Sequence, residues 1–328
     1  MPRVSVIVPS YNHGRFLRQT LESALGQTFR DLEVLVLDDG STDDSLEVAA
    51  SVRDRRLRVE ANPTNLGTYG SQQRGLELTD SEFVAILNSD DFWEPTKLES
   101  QVKALEERPD CPYCYTLGWV ADAEGRLDHS QDVHDGWPTE RVQDLLPWLL
   151  FENRVLASSV LFRREGLSFH TECRYSGDWV VQLELAAGRR VACVPERLSH
   201  WRVHGANTFF RSREQALEEI AVREAVSRVG GGWLRFGSDP GLVRIGLGQN
   251  ELNLVALYSP FAARWRGLGA GLRALRWHPI KRKGYRRLAT VFLPGNLWPR
   301  ALWGGSAAVW RGARFQRIDL RLPRTKAS

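Results

Sequence analysis

Apolar and polar residues follow two distinct patterns along residues 4–207. Apolar-rich runs at 4–8, 31–37 and 83–87 are typical of strands buried on both faces of a sheet. Residues 15–26 instead repeat apolar positions at the three- and four-residue spacing of an amphipathic helix. Because strands and helices alternate with short connections, the pattern predicts an α/β fold with a parallel, doubly wound sheet.

The same reasoning assigns the remaining elements of this part of the chain. Strands are predicted at 57–60, 113–120, 158–162 and 190–194. Helices are predicted from 43 or 44 onward and at 69–78, 97–107, 141–151, 178–188 and 214–228.

Two predicted strands end in a pair of acidic residues. Asp38 and Asp39 follow the strand at 31–37, and Asp90 and Asp91 follow the strand at 83–87. Open α/β sheets bind ligands beyond the carboxyl ends of their strands, and hard divalent cations take carboxylate ligands. The pairs therefore predict a metal and nucleotide site, and the simpler alternative for each pair is an acidic turn that caps the next helix.

Charge divides the chain into two regions. Residues 231–328 hold 18 lysines and arginines and three acids, a net charge of +15, whereas residues 1–230 carry −11. The basic region interleaves arginine with tryptophan and leucine, which is typical of amphipathic helices at an anionic membrane surface. A solvated basic helical appendage is the alternative, and nucleic-acid binding is disfavoured because no recognised binding motif accompanies the charge.

Two long segments resemble a known family. The segment VSVIVPSYNHGRFLRQTLESALGQTFRDLEVLVLDDGSTDDS, residues 4–45, resembles the opening of family 2 glycosyltransferases of GT-A fold. The segment NLGTYGSQQRGLELTDSEFVAILNSDDFWEPTKLE, residues 65–99, is similar to the continuation of that family, and the resemblance extends to about residue 207. It implies a Rossmann-like, mostly parallel sheet flanked by helices, followed by a basic, mainly helical C-terminal extension.

The resemblance also implies roles for individual residues. Pro9, Tyr11 and Asp39 would contact the nucleotide base of a nucleotide-sugar donor. Asp90 and Asp91 stand at the metal-binding DxD motif, where they would contact ribose and hold Mg²⁺ or Mn²⁺ against the diphosphate. This sequence departs from the motif at its first position, which is Asn88. It also departs at residues 72–74, where Gln-Gln-Arg replaces the Ala-Arg-Asn run that is frequent in the family.

Two later positions complete the predicted site. Asp178, in the sequence Gly-Asp-Trp, resembles the catalytic acid residue of the family and would accept the proton of the acceptor hydroxyl. The alternative for Asp178 is a helix N-cap. His204 resembles a further metal or diphosphate ligand, with a merely hydrogen-bonded histidine as the alternative. Arg202 would meet phosphate or a surface acid.

The four cysteines, Cys111, Cys114, Cys173 and Cys193, are expected to be buried free thiols, because the lone CxxC lacks partners for a zinc site. We expect a catalytic domain at residues 1–229 and a membrane-associating region at 230–328, with a hinge at the glycines 230–232. Neither a secretory signal nor a run of about 18 apolar residues is visible. The expected location is therefore the cytoplasm, peripherally at the inner face of the membrane.

These observations predict a metal-dependent, inverting glycosyltransferase. Its acceptor would be a saccharide or a lipid-linked saccharide in the synthesis of cell-surface polysaccharide. Two alternatives remain open, a nucleotidyltransferase and a non-catalytic module that binds sugar nucleotides or membranes. The first would be expected to show a glycine-rich phosphate loop, of which Ser10–Gly14 is a poor version. The second would be favoured by loss of the three predicted aspartates, which are present.

Overall fold

A computed structural model describes residues 1–151, 153–205, 207 and 212–227 of the chain. The predicted hinge at 230–232, the boundary between residues 229 and 230, and the basic region that follows lie outside these residues. By internal contacts the chain divides into two compact units, residues 1–149 with 153–207, and residues 150–152 with 208–328. The domain boundary at residue 229 stays a prediction.

Ten strands of the described residues form one sheet. In chain order they are β1 (Val4–Ser10), β2 (Leu32–Asp38), β3 (Leu57–Ala61), β4 (Phe83–Ile86), β5 (Phe92–Trp93), β6 (Tyr113–Ala121), β7 (Leu127–Asp128), β8 (Val142–Gln143), β9 (Val160–Arg163) and β10 (Val191–Arg202). The strand order across the sheet is β3-β2-β1-β4-β9-β6-β10-β5, with β7 paired to β6 and β8 paired to β10.

The first four strands of this order are parallel, and this part of the sheet carries the two acidic pairs. Strand β1 pairs in parallel with β2 on one side and with β4 on the other. Every residue of β1 is buried, as expected for a central strand of a sheet covered on both faces. Strand β9 departs from the predicted parallel sheet, because it runs antiparallel to both β4 and β6. The short strands β5, β7 and β8 are also antiparallel to their partners.

Seven helices are described, and most lie where the apolar spacing predicts them. They are α1 (Gly14–Leu25), α2 (Ser45–Ser51), α3 (Gly67–Glu77), α4 (Lys97–Glu106), α5 (Leu146–Phe151), α6 (Gly177–Ala186) and α7 (Ser212–Ser227). Helix α1 buries Phe16, Leu17, Leu21 and Leu25. The side chains of Leu17 and Leu21 join Val6, Val8 and Val34 of the sheet in one apolar core.

One predicted helix is wrong over the first five of its eleven residues. The amphipathic spacing predicts a helix over 141–151, but Val142–Gln143 forms strand β8 and the helix covers Leu146–Phe151 only. The reason is a tertiary contact, because β8 pairs antiparallel with Val191 and Ala192 of β10. Local spacing cannot report this pairing.

Two further sequence-based expectations can be compared with the described residues. All four cysteines are free and buried, as predicted. Across the described ranges, no helix combines the length and apolar character that a bilayer span requires.

Candidate functional site

An aspartate in the turn that follows β4 lies close to two histidines from other parts of the chain. The Asp90 carboxylate Oδ2 lies 3.1 Å from His204 Nε2 and accepts a hydrogen bond of 3.2 Å from Asn207 Nδ2. His13 completes the group, and one ligand atom from each of His13, Asp90 and His204 lies within 4.8 Å of the others. Among the described residues, this is the one group of three such side chains close enough together to hold a metal ion.

His13 reaches this group from the loop between β1 and α1. Its ring Nδ1 lies 2.8 Å from Ser89 Oγ, and its backbone N–H donates to Ser45 Oγ at 3.1 Å. Burial lowers the pKa of His13, and the nearby Asp90 carboxylate acts in the opposite direction. Sequence reasoning missed this residue. Its position in the loop after the first strand was visible, but its proximity to Asp90 depends on the pairing of β1 with β4.

The set of donors fits a divalent cation. Ligand atoms about 2.1 Å from one ion lie within about 4.2 Å of one another, so the group needs only a small closing movement. Two imidazoles and one carboxylate suit first-row transition ions better than Mg²⁺, which prefers oxygen. His13, Asp90 and His204 are therefore the residues that would hold a metal ion here.

Asp91, which the sequence pairs with Asp90, has different surroundings. Its carboxylate is hydrogen-bonded to the Ser158 hydroxyl at 2.5 Å and accepts the Arg202 backbone N–H at 3.0 Å. The side-chain amide of Asn88 lies 3.5 Å away. Burial and then the neighbouring Asp90 charge raise the pKa of Asp91 to about 8. The structure thus brings Asp90 and His204 together and orients Asp91 toward the protein interior.

Arg202, the last residue of β10, contacts this turn and is 2% exposed. Its Nε donates to the Asp90 carbonyl at 2.6 Å, and its Nη2 donates to Gln19 Oε1 at 2.6 Å. The guanidinium also lies about 5 Å from the ring centroids of Phe16 and Phe92. The surface ion pair suggested by the sequence is wrong for a side chain enclosed in this way, and the phosphate contact stays a prediction.

The acidic pair after β2 shapes a second part of the site. Asp39 is 4% exposed, and its carboxylate accepts the backbone N–H groups of Leu66 at 2.7 Å and Gly67 at 2.8 Å. Asn62 Nδ2 donates to the same carboxylate at 2.7 Å. Asp38 Oδ2 accepts the N–H groups of residues 40 and 41, and its buried Oδ1 has no hydrogen-bond partner among the described residues. Asp39 therefore fixes the start of α3 at the edge of the sheet.

Pro9 and Tyr11, the other predicted base contacts, differ in accessibility. Pro9 is buried within β1, whereas the side chain of Tyr11 is 49% exposed. The next residue, Asn12, has a positive φ of 56°, and its Oδ1 accepts the Thr42 backbone N–H at 2.7 Å. The loops after β1 and β2 are thereby joined, and Tyr11 stands exposed beside the acidic pair of β2.

Asp178 lies in the first turn of α6 and is only partly buried. Its Oδ1 accepts a hydrogen bond of 3.1 Å from the hydroxyl of Tyr69 in α3. The helix begins without a side-chain N-cap hydrogen bond. A carboxylate at this position can accept a proton from a hydroxyl substrate, which is the chemistry predicted for Asp178.

The first half of the chain matches a known protein family. The family model described as "Glycosyl transferase family 2" matches residues 5–164. Residues 5–164 thus match glycosyl transferase family 2. The match includes β1 to β4 and therefore His13, Asp39, Asp90 and Asp91.

Curated relatives of this protein are similar over part of their length. An uncharacterized glycosyltransferase of Haemophilus influenzae is 38% identical over 107 residues, covering 32% of this chain and 43% of that protein. The Escherichia coli enzyme WfaP, a UDP-Glc:alpha-D-GlcNAc-diphosphoundecaprenol beta-1,3-glucosyltransferase, is 34% identical over 106 residues, covering 32% and 42%. The chain thus spans less than half the length of these two relatives.

Solved structures identify the fold. TarS residues 1–349 of S. aureus, in complex with UDP-GlcNAc, aligns with a TM-score of 0.63 at 18% identity, covering 88% of this chain and 90% of that one. The mannosyltransferase PcManGT of Pyrobaculum calidifontis, in complex with GDP-Man and Mn²⁺, aligns with a TM-score of 0.55 at 18% identity, covering 93% and 88%. The predicted GT-A fold is confirmed.

Proposed function

We propose that this protein is a metal-dependent, inverting glycosyltransferase that moves a sugar from a nucleotide-sugar donor to a hydroxyl of its acceptor. The observation that carries the proposal is the group of His13, Asp90 and His204 at the carboxyl end of β4, of which His13 and Asp90 lie inside the matched region. That edge is where open α/β sheets bind ligands.

The donor nucleotide would bind beside the acidic pair of β2. Tyr11 offers an exposed ring on which a base can stack, and Pro9 is a buried residue near the end of β1. The predicted base contact of Asp39 would come from a carboxylate that three protein donors already hold in one orientation. Such a fixed acceptor is suited to recognise an N–H group of a base.

The ion would be held by Asp90, His204 and His13, and it would neutralise the charge that develops on the departing diphosphate. Asp91, predicted as a second ligand, has a supporting role in this proposal, because its contacts with Ser158 and Arg202 fix the turn that carries Asp90. A set with two imidazoles favours Mn²⁺ over Mg²⁺.

The chemistry follows from the position of Asp178. An acceptor oxygen attacks the anomeric carbon from the face opposite the diphosphate, so the new C–O bond forms as the C–O bond to the diphosphate breaks. The acceptor O–H proton passes to the carboxylate of Asp178, and the nucleoside diphosphate leaves with the bonding electrons. Displacement from the opposite face inverts the anomeric centre.

The acceptor is proposed to be a saccharide or lipid-linked saccharide at the inner face of the membrane. Two observations support this part: the lipid-linked acceptor in the name of WfaP, and the net charge of +15 on residues 231–328, which suits an anionic leaflet. The structures of TarS and PcManGT, with UDP-GlcNAc and GDP-Man, favour UDP- and GDP-sugars as the first donors to test.

A donor screen tests the proposal. We expect the purified chain to release nucleoside diphosphate from one UDP- or GDP-sugar in the presence of Mn²⁺, and to transfer that sugar when a saccharide acceptor is added. Asp178→Asn should bind the donor as the wild type does and lower transfer by a factor on the order of 10²–10⁴.

The matched control is Asp110→Asn, which removes an exposed carboxylate from the turn after α4. It should behave as the wild type. If Asp178→Asn instead loses donor affinity while turnover per bound donor stays normal, the role of Asp178 as a base is wrong.

A further inference from the structure

Tyr69 of helix α3 contacts the start of α6. Tyr69 is 7% exposed, and its hydroxyl donates to Asp178 Oδ1 at 3.1 Å. The ring packs directly on Gly177, where an added Cβ would lie only 2.7 Å from ring carbons. Glycine before Asp178 is therefore required by the close approach of the tyrosine ring.

The same helix is also fixed to the predicted nucleotide site. The backbone N–H groups of Leu66 and Gly67, at the start of α3, donate to the Asp39 carboxylate. Asn62 adds a second link, because its Nδ2 donates both to Asp39 and to Ser71 Oγ of α3 at 2.7 Å. One short helix thus connects Asp39 with Asp178.

The hydrogen bond from Tyr69 has two physical consequences for Asp178. It orients the Asp178 carboxylate through Oδ1, and that carboxylate would accept the proton of a substrate hydroxyl. It also stabilises the ionised carboxylate, the form that a general base needs, and restricts the rotation of a partly exposed side chain.

We infer that Tyr69 is a positioning residue, whose hydroxyl holds Asp178 in the orientation for proton acceptance while α3 fixes that orientation relative to the donor nucleotide. The inference rests on the proposed function, because it assumes that Asp178 is the base. The competing role for Tyr69 is packing alone, in which the ring matters and the hydroxyl does not.

The variant Tyr69→Phe separates the two roles, since it keeps the ring and removes the hydroxyl. We expect kcat to fall roughly tenfold and the donor KM to change less than about twofold. Loss of the Tyr69 hydroxyl removes a hydrogen bond that stabilises the ionised carboxylate, so the pKa of Asp178 should rise. The acidic limb of the pH–rate profile should therefore move up by about one pH unit. Tyr115→Phe is the matched control, because the Tyr115 hydroxyl donates to the Pro138 carbonyl instead, and it should leave the profile unchanged.

A second variant and a second measurement make the test independent of activity. Gly177→Ala should displace the Tyr69 ring and shift the profile in the same direction. Titration of ¹³C-labelled aspartate carboxyls, assigned with Asp178→Asn, should show the Asp178 pKa higher in Tyr69→Phe than in the wild type.

An unchanged Asp178 titration overturns the inference, and so does a shifted titration with normal transfer. If the wild-type chain transfers no sugar from any donor, the proposed function fails, and the carboxyl titration still decides whether Tyr69 controls Asp178.

Discussion

At the end of β4, two adjacent aspartates have opposite surroundings, although the sequence presents them as one pair. Asp90 faces His204 and Asn207, whereas Asp91 is enclosed by Ser158 and the Arg202 backbone. An amide can replace the enclosed carboxyl group, because it keeps the acceptor for Arg202 and can donate to Ser158. It cannot replace a carboxylate that holds a cation.

We therefore predict different results for the two isosteric variants. Asp90→Asn should weaken Mn²⁺-dependent binding of a nucleoside diphosphate roughly tenfold or more. Asp91→Asn should change that affinity less than about threefold. Calorimetry with and without Mn²⁺ measures both, and equal losses in the two variants would return Asp91 to the ligand set.

Some residues of the candidate site could be predicted from the sequence and others could not. The acidic pairs at strand ends and Asp178 at a helix start could be predicted, because an apolar run fixes where a strand ends and its polar residues follow. His13 could not be found in this way, since its distance from Asp90 is set by three elements that are distant in the chain. The burial of Arg202 could not be predicted either, because contacts with two phenylalanine rings that are distant in the chain leave no local signal in the sequence.

At the scale of single elements, α4 begins with a charged side chain in the core. Lys97 is fully buried, its Nζ donates to Gln101 Oε1 at 2.7 Å, and it lies 3.9 Å from the centroid of the Trp93 ring. Burial lowers the pKa of Lys97 from 10.5 to about 7, and within the described part of the chain no carboxylate acts against this shift. Between about pH 7 and 10.5, Lys97 therefore carries a proton in the unfolded chain and loses it in the folded protein.

The buried Lys97 makes the free energy of unfolding depend on pH. Because the unfolded state binds more protons between about pH 7 and 10.5, the free energy of unfolding that depends on Lys97 rises with pH in this window and reaches its lowest value below it. We predict that the stability of the wild type relative to Lys97→Met increases from pH 7 to pH 9.5. Urea unfolding of both proteins at several pH values measures this, and a difference that stays constant with pH contradicts the assigned pKa.

At the same scale, the elements that the sequence predicts correctly are those with strong local patterns. Helix α1 and strands β1 and β2 were predicted within about two residues of their bounds, because their apolar spacing agrees with their burial. Strand β8 was missed because its two residues gain their structure from pairing with β10. The antiparallel direction of β9 was missed for the same reason, since strand direction depends on the path of the whole chain.

At the scale of the whole molecule, charge is separated along the sequence, with −11 on residues 1–230 and +15 on residues 231–328. Coulombic attraction of about 1 kcal/mol for each basic residue near an anionic surface would bring the basic region to the membrane. We predict that the full chain co-sediments with liposomes that contain anionic lipid, and that salt weakens this binding because it screens the attraction.

Matched charge variants locate the effect within the chain. Binding should fall when five basic residues of the second region are replaced by glutamine: Lys281, Arg282, Lys283, Arg286 and Arg287. It should persist when five exposed basic residues of the first region are replaced: Arg30, Arg53, Arg55, Lys103 and Arg108. Equal losses in the two variants, or equal binding to neutral liposomes, contradict the membrane role of residues 231–328.

His13, Asp90 and His204 are proposed to hold the ion on which donor binding depends. Calorimetric titration of UDP and GDP in the presence of Mn²⁺, Mg²⁺ or EDTA tests this claim most directly, with His13→Ala compared with His129→Ala, the loss of an exposed histidine. We predict that one nucleotide binds at least about tenfold more tightly with Mn²⁺ than with EDTA or Mg²⁺, and that His13→Ala removes this preference while His129→Ala retains it. Nucleotide affinity that is the same with Mn²⁺ and with EDTA, or a preference for Mn²⁺ that survives in His13→Ala, would contradict the claim.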